Sequence, residues 1–217
     1  MRAALRRLAA AGLLAAAAPA GADATRQAWP ELNYFDRFDE RYRLFLSASG
    51  TRGETDGARN QDYELGANLD VFLRSHFWMR FGVQHSAGLG DDDSSENRLS
   101  ADFNAPLAAA AGLRIIPRLR LEHRWIDGDE SNRYRVRLGV EKDVALDGRG
   151  WMFYADAEAY YDERYDAWTR QRYRAGAEVA WTINWRLEAY YAYQRDSRSS
   201  ASPINAIGLA LKYYRFH

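Results

Sequence analysis

From residue 41 to the C-terminus, hydrophobic and polar residues alternate with a period of two, the spacing of a strand with one dry and one wet face. Tyr63, Leu65, Ala67, Leu69, Val71 and Leu73 share one face of residues 63–73, while Glu64, Gly66, Asn68 and Asp70 share the other. Tyr134, Val136, Leu138 and Val140 alternate in the same way with Arg133, Arg135, Arg137 and Glu141. The pattern predicts ten strands, at 41–51, 62–74, 77–86, 96–105, 112–125, 132–143, 151–162, 170–182, 185–195 and 204–216. No helix competes, because the alanine run at 108–111 is short and Gly112 follows it. The connections at 52–61, 87–95, 126–131, 163–169 and 196–203 read as long and polar, and those at 74–76, 105–111, 144–150 and 183–184 as shorter. Long and short connections therefore alternate, as in barrels whose two ends face different compartments.

An even strand count returns the C-terminus to the side of the N-terminus. On that ground residues 23–40 are expected to form a periplasmic lead-in or a barrel-associated segment instead of an eleventh strand, with the barrel itself at 41–217. At the C-terminus Tyr214 and Phe216 fall on one parity and Ile207, Leu209 and Leu211 on the other. A bulge near Lys212 would bring them onto one face.

The apolar face carries its large rings at strand ends. Trp125, Tyr134, Tyr161, Tyr173 and Tyr193 adjoin the long connections, and Phe77, Trp151, Trp181, Trp185 and Tyr213 the short ones, with aliphatic residues between. Two aromatic belts around an aliphatic band are a membrane-interface pattern, since amphipathic rings favour the headgroup level. The opposite face is expected to line the lumen with Arg118, Arg120, Glu122, Arg124, Arg133, Arg135, Arg137, Glu141, Asp156, Glu158, Arg172, Arg174, Glu178, Arg186 and Glu188. The fold class is thus all-β: a small antiparallel, transmembrane up-and-down barrel of about ten strands, with eight or twelve as alternatives. A secreted soluble barrel of lipocalin type is the competing reading, and it would turn the apolar face inward.

Residues 1–22, MRAALRRLAAAGLLAAAAPAGA, have the basic start, apolar core and small-residue end of a secretory signal peptide, with cleavage expected after Ala22 or Ala24. Removing it takes away Arg2, Arg6 and Arg7 and leaves 27 basic residues against 30 acidic ones. That balance excludes the one-sided basic footprint of a nucleic-acid binder. There is no cysteine, so no disulfide braces the fold. A content of 14% aromatic residues at a mean hydropathy of −0.56 fits rings with a particular place to sit.

Catalytic chemistry is sparse. Of the histidines at 76, 85, 123 and 217, His85 and His123 lie near the rim on the apolar parity. Ser86 adjoins His85 but points to the other face, and Glu122 and Arg124 flank His123 from the other face. Asp91, Asp92 and Asp93 lack the alternating ligand spacing of a calcium loop. No catalytic, cofactor-binding or metal-ligating residues are expected, and the chain is expected not to be an enzyme. An outer-membrane lipid hydrolase is the remaining enzymatic alternative.

The segments RLRLEHRWIDGDESNRYRVRLGVEK, YADAEAYYD, YDAW and WRLEAYYAYQRD, preceded by WPELNYF and RYRLFLSASGTR, resemble a proteobacterial outer-membrane β-barrel family known only as a domain of unknown function. The resemblance implies location and fold and supplies no activity. The expected setting is the outer membrane of a Gram-negative bacterium, reached by the general secretory route. The expected partners are outer-membrane lipids and lipopolysaccharide, with periplasmic chaperones and the barrel-assembly machinery during biogenesis. The expected role is structural, or ligand binding through loops above a side-chain-filled lumen. The alternative is a narrow arginine-lined channel for small anions.

Overall fold

Period-two alternation becomes twelve strands in the computed structural model, which describes residues 25–55, 58–74, 77–89, 94–197 and 203–217. They are β1 (Thr25–Arg37), β2 (Tyr42–Thr55), β3 (Ala58–Arg74), β4 (Phe77–Gly88), β5 (Ser95–Asn104), β6 (Leu107–Ala108), β7 (Leu113–Ile126), β8 (Asp129–Leu146), β9 (Arg149–Asp162), β10 (Ala167–Ala180), β11 (Trp185–Asp196) and β12 (Ile204–Phe216). The leader with its cleavage sites, His76 and the Asp91–Asp93 tip lie outside the described residues. Neighbours pair antiparallel around the sheet, and β5 pairs directly with β7. The two-residue β6 continues the line of β5 along β7 beyond a break at Ala105 and Pro106, where proline has no N–H to give a ladder. The result is a closed barrel of eleven strands and one extra short strand.

The barrel closes where the first and last strands run parallel, from Thr25 beside Ile204 to Arg37 beside Phe216. Residues 25–37, expected as a lead-in, are therefore an eleventh barrel strand. The parity argument failed because it assumed that every neighbouring pair is antiparallel. One parallel pair lets the start of β1 and the end of β12 lie at opposite ends of the barrel. At the C-terminus there is no bulge at Lys212: the register runs unbroken through Arg186–Lys212 and Trp185–Tyr213. Tyr213 stays on the outer face, and Tyr214 points inward to stack on Phe35 at 4.6 Å.

The expected contrast between long and short connections is also largely absent. Strands extend into segments read as loops, so β7 and β8 join at Asp127-Gly128 and β8 and β9 at Asp147-Gly148. All four of these residues have positive φ, the backbone of a type I′ hairpin turn. These turns mark the two ends of the barrel. The Gly128 end also holds Thr55, Ala58, Gly88, Ser95, the connection at 163–166, Asp196 and Ile204, and the Gly148 end holds Arg74, Phe77 and the connections at 38–41, 105–112 and 181–184.

The alternation is resolved inside out relative to a soluble globule. Asp70, Asp102, Asn104 and Glu122 point inward and are almost completely buried. Leu138, Val83, Leu99 and Leu209 point outward, each with about half of its surface or more exposed. Inward-facing Tyr190 is packed over Gly208, where a Cβ atom would stand 2.0 Å from the ring. Gly208→Ala should therefore destabilise the barrel by about 1–3 kcal/mol through overpacking. Urea unfolding followed by tryptophan fluorescence measures it, and an unchanged midpoint would mean that the ring is free to move.

Candidate interior binding site

The charged wall of the interior comes from β7 to β10. Their inward positions fall two apart, so 118, 120, 122 and 124 on β7 face 137, 135, 133 and 131 on β8 across the ladder. Glu122 accepts from Arg133 at 2.5 Å and Arg135 at 2.9 Å, with Arg120 at 3.6 Å. Asp102 holds Arg120, and Arg124 reaches Asp162 at 2.6 Å. Arg174 pairs with Asp156 at 2.9 Å, and Arg114 with Glu141 at 3.1 Å. Glu178 sits between Arg186 and Lys212, which also reaches Glu188 at 2.6 Å. Every residue expected on the wet face thus points into the barrel. Each cationic side chain is long, and charge-assisted hydrogen bonds across strands fix where its head can sit.

The pairing is not even. One cross-strand row reads Arg118, Arg137, Glu158, Arg172 and Gln194 on β7 to β11, three guanidiniums to one carboxylate. Glu158 is taken by Arg118, by Arg135 at 2.7 Å and by the Tyr160 hydroxyl at 2.8 Å. Arg172 donates to Gln194 at 2.6 and 2.9 Å and lies over the ring of Trp29. Among the described residues, Arg137 has no ion-pair partner and its Nε no hydrogen bond; the Nε of Arg118 is also unpartnered.

β1 to β4 supply the facing wall, where the small inward residues Ser47, Ser49, Gly66, Gly82 and Ser86 alternate with larger ones, Trp29, Glu31, Asp62, Glu64 and Gln84 among them. A cavity of about 710 Å³ separates the two walls. It runs from Thr51, Gly88 and Ser94 at the Gly128 end down to Phe45, with the uneven arginine row along its side. Beyond Phe45 the interior is packed. Phe35 stacks on Phe45 at 4.6 Å, and Arg80 lies over Phe45 at 4.2 Å. Asp70 binds both Arg43 and Arg80, at 2.7 and 2.6 Å. Phe72 receives Arg37 and Arg43, and Arg80 also lies over Trp78. Among the described residues the cavity thus extends towards the Gly128 end, and the Phe45 cluster lies between it and the Gly148 end.

The family model for a protein of unknown function, DUF2490, matches residues 26–205, from the start of β1 into β12. The chain belongs to the DUF2490 family. No curated protein matches it. The match takes in all of β1 after Thr25.

On the outer face of this DUF2490 barrel, nine of the ten aromatics singled out from the sequence gather at the two ends as follows. At the Gly128 end Tyr134 meets Tyr161, Tyr161 meets Trp168, Tyr173 meets Tyr193, and Trp125 packs edge-on against His123. At the other end Trp185 meets Tyr213, which stacks on Tyr34, while Trp151 lies on Phe153 and Trp181 is exposed. The two histidines near the rim are held by amides, His85 by Asn97 at 2.9 Å and His123 by Asn132 at 2.8 Å. Asn132 and the Tyr134 hydroxyl both donate to Glu163 in the adjacent turn, which lowers the Glu163 pKa from its ordinary value. No serine hydroxyl is hydrogen-bonded to either ring among the described residues.

Sequence reading missed the stopper. Its rings at 35, 45, 72, 78 and 214 are inward, on a face expected to be polar, and a spacing of two from Asp70 and Arg80 marks only 72 and 78. The seven arginines of the cavity wall were all legible as inward except Arg170, which follows the register shift between Trp168 and Arg170.

Proposed function

We propose that this chain is an integral barrel of the Gram-negative outer membrane that holds a ligand in a blind interior pocket and does not conduct. The observation that carries the reading is the inverted surface: aliphatic side chains exposed around a charged, buried interior. In water that arrangement exposes apolar area worth roughly 25 cal/mol per Å² without return, whereas in hydrocarbon it is at rest. The closed ladder supports the same reading, because a closed barrel leaves no strand edge unpaired in lipid. The aromatic clusters at both ends suit the two headgroup levels, where outer-membrane lipids and lipopolysaccharide would meet them. The apolar leader supplies an export route.

The stopper at Phe45, Asp70, Arg43 and Arg80 favours a closed pore over the narrow anion channel. Protein reconstituted in planar bilayers should show no steady single-channel conductance. A stable, anion-selective open state lost on replacing Arg135 and Arg174 would favour the channel instead.

A non-enzymatic role fits the histidine geometry. Asn97 and Asn132 hold the Nδ1 atoms of His85 and His123, and among the described residues neither ring has the serine beside it that a hydrolase of this kind needs. His85→Ala and His123→Ala should leave the lipid A and phospholipid profiles of expressing cells unchanged. A change in acylation that appears with the wild-type protein and vanishes with His123→Ala would reinstate the hydrolase.

A further inference from the structure

We propose that the interior pocket binds a phosphate monoester of a polyol, such as a sugar phosphate, with the phosphate on Arg137 and Arg172. The inference rests on the blind-pocket reading and names its ligand. Of the seven arginines that line the cavity, Arg118, Arg120, Arg135, Arg170 and Arg174 are ion-paired with Glu158, Asp102, Glu122, Asp196 and Asp156. The two left over stand in the row that flanks Glu158. Arg137 and Arg172 stand on either side of that carboxylate in register, and neither has a carboxylate within ion-pair distance among the described residues. Arg118, the next residue in the row, is about nine-tenths buried and keeps an unpartnered Nε. Half-buried guanidiniums with no carboxylate in ion-pair distance are under-compensated, and a bound anion is the direct remedy.

The arrangement selects among anions. A monocarboxylate brings one charge and two oxygens, whereas a phosphate monoester brings nearly two charges and three terminal oxygens. Guanidinium forks match phosphate oxygens bidentately, and three sides of the oxygen tripod can be met from three strands. The cavity, at about 710 Å³, is far larger than a bare phosphate and within the range of small-molecule sites. Its other wall offers the hydroxyls of Ser47, Ser49 and Ser86, which suit a body rich in hydroxyl groups. Trp29, on which Arg172 already rests, gives that body a flat apolar face. The pocket lies inside the barrel, so a free sugar phosphate reaches it from the Gly128 end.

Calorimetry on the full mature protein folded in detergent tests this with glucose 6-phosphate, inorganic phosphate and glucose as separate titrants. Glucose 6-phosphate should bind with a submillimolar Kd, inorganic phosphate at least tenfold more weakly, and glucose not measurably. The double variant R137Q/R172Q should lose at least tenfold in affinity while still migrating as a folded barrel in unheated gels, since Arg137 makes no pair whose loss would unfold it. No binding of glucose 6-phosphate by folded protein, or equal binding by the double variant, overturns the proposal. Equal affinity for phosphate and glucose 6-phosphate overturns the polyol assignment. Conductance measured on the same preparation separates the two readings. A non-conducting barrel that ignores glucose 6-phosphate sinks the ligand alone, and a conducting barrel sinks the closed pocket whatever it binds.

Discussion

Glu122→Gln should lower the unfolding free energy of the barrel by about 3–5 kcal/mol, the usual effect of removing one member of a buried charge cluster. The Glu122 side chain is fully enclosed and is shared by Arg133, Arg135 and Arg120. Glutamine keeps the shape and deletes the charge, so the three guanidiniums lose a common counter-ion in a place where water does not reach. The neighbouring Glu130 is a fitting control. It is largely exposed, 3.6 Å from the His123 ring, and its replacement by glutamine should change stability by well under 1 kcal/mol. Adding Arg133→Gln to Glu122→Gln should recover part of the loss, because it removes one of the stranded cations; the double-mutant cycle gives the coupling directly. Urea unfolding of the protein in lipid vesicles, read by tryptophan fluorescence, is the measurement. A loss below 1 kcal/mol for Glu122→Gln would mean that the interior is wet and the ion pairs are incidental.

The second large effect is expected on the opposite face. Val136 lies mid-strand on β8, half exposed and pointing away from the interior, between inward Arg135 and Arg137. Arginine at a mid-bilayer, lipid-facing site costs about 2–4 kcal/mol. Val136→Arg should therefore impair folding into vesicles by that amount, and Val136→Leu should be nearly silent. The same change on a water-facing surface would cost close to nothing. Since Val136 is exposed, this substitution separates lipid from water around the barrel. Full stability of Val136→Arg would place the outer face in water.

The strands from β2 onward, except the short β6, and the facing of their side chains were legible because period two is a local signal that tertiary structure does not alter. Arg133, Arg135 and Arg137 could be set inside, and Val136 and Leu138 outside, before any neighbour was known. What was not legible depends on pairing. In β1, Trp29 and Phe35 point inward while Leu32 and Tyr34 point outward, so both faces carry apolar residues and the alternation is blurred. Its parallel partner is almost the whole chain away, and nothing local announces it. The Asp-Gly pairs at 127–128 and 147–148 were a different failure. They are strong hairpin signals, and their flanks, polar around 127–128 and glycine-containing around 147–148, led the connections to be drawn longer than two residues. The cavity was out of reach for a third reason. Long arginines on one wall and serines on the other balance in composition, and only the register shows that they face each other and leave space between.

The central claim is that the apolar outer face lies in the outer membrane, and fractionation of expressing cells tests it most directly. Envelopes would be separated on a sucrose gradient, washed with alkaline carbonate, and probed for the protein with and without heating before electrophoresis. Recovery in the carbonate-resistant outer-membrane fraction, with a folded form whose mobility shifts on boiling, is the result expected. Recovery as a soluble periplasmic protein would contradict it.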